Sequence, residues 1–201
     1  MTTFSDYLLS LIRGAKGRFR SDYTSFEVVL KQLQFLYDLC VASEQLLLDA
    51  AGGAQAKEDV FSRVLGTYYQ IHFEEEKGEI YVLAADLASA GISVGKTAPH
   101  PLALGLIGTQ YYLIKHLHPV CLLGYMAIQE ADPTSIEVVE KLEAAYGQEL
   151  FRFIRLHATR DLEHGKDLRA VLDRVPESLR HLVIESTENA LAYLGSFYGT
   201  R

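Results

Sequence analysis

His157, Asp161 and His164 form an H-x3-D-x2-H element. Steps of four and three residues put all three on one face of an α-helix, with neighbouring Cβ atoms about 5–6 Å apart. The same stripe carries Leu150, Phe153 and Ile154 before the triplet, and Leu168 and Val171 after it. This is therefore the face expected to enter the core. An unpaired carboxylate and two imidazoles buried there would cost on the order of several kcal/mol. A metal ion is the simplest group that satisfies all three together.

Two further stretches place polar residues on apolar faces. In IHFEEEKGEIYVLAADL, His72 and Glu79 are seven residues apart and share a helical face, with Glu75 or Glu76 between them. Three successive glutamates ordinarily make a solvated face, so only one of Glu74, Glu75 and Glu76 is expected to point inward, and Glu75 is carried with the set. In CLLGYMAIQEADP, Glu130 follows Leu123 and Met126 along an apolar face. The candidate metal ligands are thus His72, Glu75, Glu79, Glu130, His157, Asp161 and His164, drawn from three helices. Glu79, Glu130 and Asp161 balance most of the charge on two divalent ions. Mixed nitrogen and oxygen donors suit iron or manganese, and the absence of thiolates disfavours structural zinc. Arg155, Arg160 and Lys115 are the basic residues considered for a substrate carboxylate, each of them equally readable as a surface charge.

Nearly all the chain that must position these residues reads as helix. The N-terminal segment is a short amphipathic helix with Phe4, Tyr7, Leu8, Leu11 and Ile12 on one face. A second helix covers 24–51 and stops at Gly52–Gly53. A third covers about 56–90, and 92–101 is the clearest loop. A fourth runs over about 102–131 with a kink at Pro119, and further helices cover 134–146, 147–174 and 177–197. No strand pattern, repeat or low-complexity tract occurs. The expected fold is a single all-α bundle of about seven helices, with one domain over 1–201.

With 201 residues the chain can bury one full core, and 49% hydrophobic with 22% charged residues is ordinary for a globular domain. A net charge of -7 argues against nucleic-acid binding. No apolar run reaches the length of a membrane span, and the N-terminus lacks the features of a signal peptide. The expected localisation is cytoplasmic, with no membrane partner. Cys40 and Cys121 lie far apart on apolar faces and read as core thiols.

The segment FIRLHATRDLEHGKDLRAVLDRVP, with GYMAIQEADP upstream, resembles the haem-oxygenase-like dimetal oxidases. That superfamily includes the chlamydial death-domain-associating protein and is related in fold to the thiaminase-II proteins. The resemblance covers roughly residues 60–197. It implies a haem-oxygenase-like bundle that binds two Fe(II) ions, or iron with manganese, and uses dioxygen as co-substrate. The reaction it implies is oxidation of a small molecule, such as an amino acid or fatty acid, with an external reductant and a homodimeric chain. His157, Asp161 and His164 then match the last ligand helix, Glu130 matches the bridging or middle carboxylate, and Glu130 and Asp161 become the catalytic carboxylates. This chain departs from the family in one place: the family usually places glutamate first and histidine seven residues later, whereas here His72 precedes Glu79. Two alternatives stand beside the oxidase. One is a thiaminase-II-like hydrolase using Cys121 as nucleophile; the other is a non-catalytic interaction protein on the same fold.

Overall fold

The computed structural model describes residues 2–19, 25–95 and 98–199. Helix α1 (Phe4–Lys16) is closed by a reciprocal cap, in which the Asp6 N–H donates to Thr3 Oγ1 (3.2 Å) and the Thr3 N–H donates to Asp6 Oδ2 (3.4 Å). Its buried residues include Phe4, Leu8, Leu9 and Ile12. That arc is centred between Leu8 and Ile12, so Tyr7 falls on its flank and is half exposed rather than buried.

Helix α2 (Phe26–Gln55) does not stop at Gly52–Gly53. Interior glycines cost a helix about 1 kcal/mol each, and burial of Ala50, Ala51 and Ala54 around them offsets that cost. The expected start at residue 24 lies outside the described residues. Asp59 caps the following helix by accepting from the Ser62 N–H (2.8 Å), and α3 (Val60–Glu76) runs back along α2.

The helix expected over 56–90 is broken. Gly78 adopts φ +85°, a left-handed conformation open to glycine and costly to other residues. Its freed N–H donates to Glu44 Oε1 of α2 at 2.8 Å. The chain restarts at Glu79, the residue that leads into α4 (Ile80–Ser89). The helix expected over 102–131 is also divided, into α5 (Pro101–Tyr112), a π-turn at Leu113–Leu117, a 3₁₀ turn at Pro119–Cys121 and α6 (Leu122–Glu130). Pro119 starts a new turn here rather than kinking a continuous helix. The proline ring disfavours helical backbone at the residue before it, and His118 is extended (φ -158°, ψ 141°) with its ring Nδ1 accepting from the Val120 N–H.

Helices α7 (Ile136–Tyr146), α8 (Arg152–Leu172) and α9 (Glu177–Tyr198) complete the bundle. No strand occurs among the described residues. The start of α8 has no cap of its own. Instead, the fully buried Asp86 of α4 accepts from the Phe153 N–H (2.8 Å) and from Arg152 Nε (2.7 Å), which stabilises the helix N-terminus and ties α4 to α8. The apolar interior falls into two clusters. Phe153 and Ala158 of α8 belong to the one shared with α4 and α7, whereas Leu168 and Leu172 belong to the one shared with α1, α6 and α9. Asp161 and His164 lie on α8 between these two pairs.

Candidate metal centre

Four elements bring the polar residues together at that seam. Helix α3 supplies His72, Glu75 and Glu76 from its last turns, and the break after it supplies Glu79. Glu130 ends α6, and α8 supplies His157, Asp161 and His164. Close approach of α8 to α6 requires Gly165, since a Cβ there would sit 3.0 Å from the Glu130 carbonyl oxygen. A small residue beside His164 is therefore what lets the two helices present their ligands to each other.

The donor atoms converge on one another. His72 Nε2 lies 3.3 Å from Glu76 Oε1 and 3.3 Å from Glu130 Oε1, and the His72 and His164 rings are 4.7 Å apart. His164 Nε2 is 3.5 Å from Glu75 Oε2. On the other side, His157 Nε2 is 3.0 Å from Glu79 Oε2, whose carboxylate also touches the Arg160 guanidinium. Three triads have ligand atoms within 4.8 Å of one another: His72/Glu75/His164, His72/Glu76/Glu130 and Glu76/Glu79/His157. Glu76 belongs to two of them. Yet buried His72 Nε2, Glu130 Oε2, His157 Nε2 and His164 Nδ1 make no hydrogen bond among the described residues, whereas the Glu79 carboxylate has the Arg160 guanidinium against it. Buried polar atoms are normally paired. Nitrogen and oxygen atoms that face each other without donating are what a cation between them would explain, so the residues fit a metal pair.

The electrostatics carry the same mark. Burial alone would push the His72 imidazolium down, but the Glu130 and Glu76 carboxylates beside it hold it up to about 10. Burial pushes the Glu130 carboxyl up to about 7, against the pull of His72. His157 is raised by Asp161 against its own burial, whereas His164 is lowered by burial and by the neighbouring His72. Protonated His72 would have to lose that proton to act as a metal ligand.

Asp161 joins none of the three triads. Its Oδ1 is 3.1 Å from His157 Nδ1 and 3.9 Å from His164 Nδ1. A carboxylate on Nδ1 fixes the imidazole tautomer and turns Nε2 toward the Glu79 side. Of the glutamate triplet, Glu76 is the one that points inward, rather than the Glu75 carried with the set; Glu75 stays half exposed at the rim, within reach of His164. Glu79 arrives through the helix break at Gly78, not by the helical step from His72.

A cavity of about 440 Å³ opens beside the centre, within the range of small-molecule pockets. Glu76, Glu130, His157 and Asp161 form part of its wall, and Leu33, Leu36, Phe151 and Ile154 form much of the rest. Cys121 does not line it and is fully buried, its thiol pushed up to about 11 by burial. Cys40 does line it, but burial pushes that thiol up to about 12.

No family model and no curated protein matches the chain. Among solved structures it is similar to a domain of unknown function with a heme oxygenase-like fold from Shewanella denitrificans, at 18% identity and a TM-score of 0.67. The alignment covers 96% of this chain and 85% of that one. The fold is haem-oxygenase-like. Among the described residues, no helix of this haem-oxygenase-like bundle is long and apolar enough to cross a membrane.

Proposed function

We propose that this protein is a non-haem dimetal oxidase, using two Fe(II) ions or an iron–manganese pair with dioxygen and an external reductant to oxidise a small molecule. The observation that supports this reading is the set of buried polar atoms on His72, Glu130, His157 and His164 that converge without hydrogen bonds. In this reading the ions would be held by residues of the three triads: His72, Glu75 and His164; His72, Glu76 and Glu130; and Glu76, Glu79 and His157. The reduced ions would supply the electrons and open positions for dioxygen chemistry. The chain's own residues do the rest. Asp161 orients His157, and the apolar wall of Leu33, Phe151 and Ile154 keeps water from the reacting carbon. A hydrolase built on Cys121 has no support in this geometry, because that thiol does not line the cavity and has no acidic hydrogen-bond partner among the described residues.

Dioxygen uptake tests the proposal. The iron-loaded chain with a chemical reductant is expected to consume dioxygen faster than a Glu76→Ala variant given the same iron. Equal rates for the two would assign the uptake to free iron and remove the oxidase reading.

A further inference from the structure

A lysine with no ion pair of its own stands in the wall of the cavity, which Asp132 also lines. Lys16, in the last turn of α1, lines the same space as Glu130, His157 and Asp161. Its ammonium makes no hydrogen bond or ion pair with the described residues. The carboxylate it senses, Asp132, is taken by Arg13 at 3.1 Å. Burial pushes the Lys16 ammonium below its ordinary value and Asp132 restores only part of that. Asp132 and Arg13 are the charges that act on it, and no carboxylate of the metal centre is among them. Lys16 therefore stands apart from the ligands while sharing their cavity. The basic residues that looked available from sequence are occupied instead: Arg155 by Glu143, Lys115 by Asp49 and Arg160 by Glu79.

The wall that Lys16 shares with Glu76, Glu130 and His157 is largely apolar, with Leu33, Leu36, Phe151 and Ile154 among its residues and Gln32, Gln129, Asp132 and Thr134 as polar ones. Such a space suits a molecule with a hydrocarbon body, and an unpaired, partly desolvated ammonium at its wall suits an anion. We propose that Lys16 determines which molecule the site accepts: it holds the acidic head of an apolar substrate away from the metal ligands, so that a carbon remote from that head faces Glu76, Glu130 and His157. The proposal rests on the oxidase reading for what happens at that carbon, but not for the binding itself.

Calorimetric titration of the full chain with decanoate and with decanol, in metal-free and Mn(II)-loaded forms, tests it. Lys16→Met keeps the aliphatic stem and removes the charge, and Lys16→Arg restores a cation. Decanoate is expected to bind the wild type and to bind K16M about tenfold or more weakly, the scale of a lost charge-assisted hydrogen bond. K16R should recover most of that loss. Decanol should bind wild type and K16M alike, which also shows that the variant's cavity is intact. Both metal states should give the same pattern. Equal decanoate affinity in K16M and wild type overturns the proposal, as does a wild type that binds neither ligand. Decanoate binding that appears only with Mn(II) and ignores Lys16 would put the acid group on the metal and overturn it too. A chain that fails to take up Mn(II) counts against the oxidase reading, while the metal-free titrations still decide the role of Lys16.

Discussion

The candidate ligands on α8 stand on one uninterrupted helix, whereas those between residues 72 and 79 straddle a break. On α8 the spacing of His157, Asp161 and His164 follows from the helix itself, and Asp86 and Gly165 only set where that helix sits. In the other stretch, His72, Glu75 and Glu76 share a helical face, but Glu79 reaches the site only because Gly78 takes a positive φ and Glu44 captures its N–H. One half of the centre is fixed by local geometry. The other depends on a tertiary contact that can be removed without touching a ligand, so the two halves should fail differently.

The largest expected effect comes from Glu76, the residue common to both sides. Glu76→Ala should weaken uptake of both ions by more than about 100-fold, beyond what loss of a supporting partner alone causes. Glu75→Ala, at the half-exposed rim, should cost far less. A metal-binding assay in which the two variants behave alike would erase the distinction between shared and peripheral carboxylates.

Gly78→Ala sharpens the comparison next. A side chain in left-handed backbone costs about 1–2 kcal/mol, so the melting temperature of this chain should fall by about 2–8 °C. Binding of the ion on the Glu79 and His157 side should weaken more than that on the His72 and Glu130 side. Equal weakening of both, or none, would mean that the break does not set Glu79.

The pH dependence of the metal-free chain gives a smaller effect. His72 is held at about 10, above the ordinary histidine range near 6.5, so its contribution to stability is complete below about 6.5 and is lost as pH rises through 10. Glu130, raised to about 7, acts in the same direction, because its neutral form is the one that burial favours. Denaturant unfolding should therefore show stability falling from about pH 4.5 to 7 through Glu130 and from about 6.5 to 10 through His72, and His72→Gln should flatten the upper part of that slope. Metal binding requires the neutral imidazole and should release protons into a weakly buffered solution. The smallest effect is expected for Cys121→Ser. The change should cost about 1 kcal/mol of stability and leave metal content intact. A variant that keeps its metal but loses all activity would return the hydrolase to consideration.

The same contrast explains what the sequence made legible. The H-x3-D-x2-H triplet could be read because a helical step of three or four needs no tertiary information. His72 with Glu76 obeys the same step, and the inward glutamate was obscured only because three glutamates stand in a row. The Lys77–Gly78 pair did carry a helix-stop signal, yet the seven-residue step from His72 to Glu79 looked intact across it. Pro119 likewise marked a restart that reads equally as a kink until the extended backbone of His118 is seen. Lys16 was out of reach, because nothing local to LIRGAK shows that its last residue faces a cavity shared with α6 and α8. The all-α fold and its helical ligand faces were readable, and the contacts between distant helices were not.

Anaerobic titration of the metal-free chain with Fe(II), followed by calorimetry beside the Glu76→Ala variant, tests the central claim most directly. The account predicts uptake of two ions per chain by the wild type, with proton release, and loss of both in the variant. A wild type that refuses Fe(II), or a variant that still takes up two ions, would contradict it.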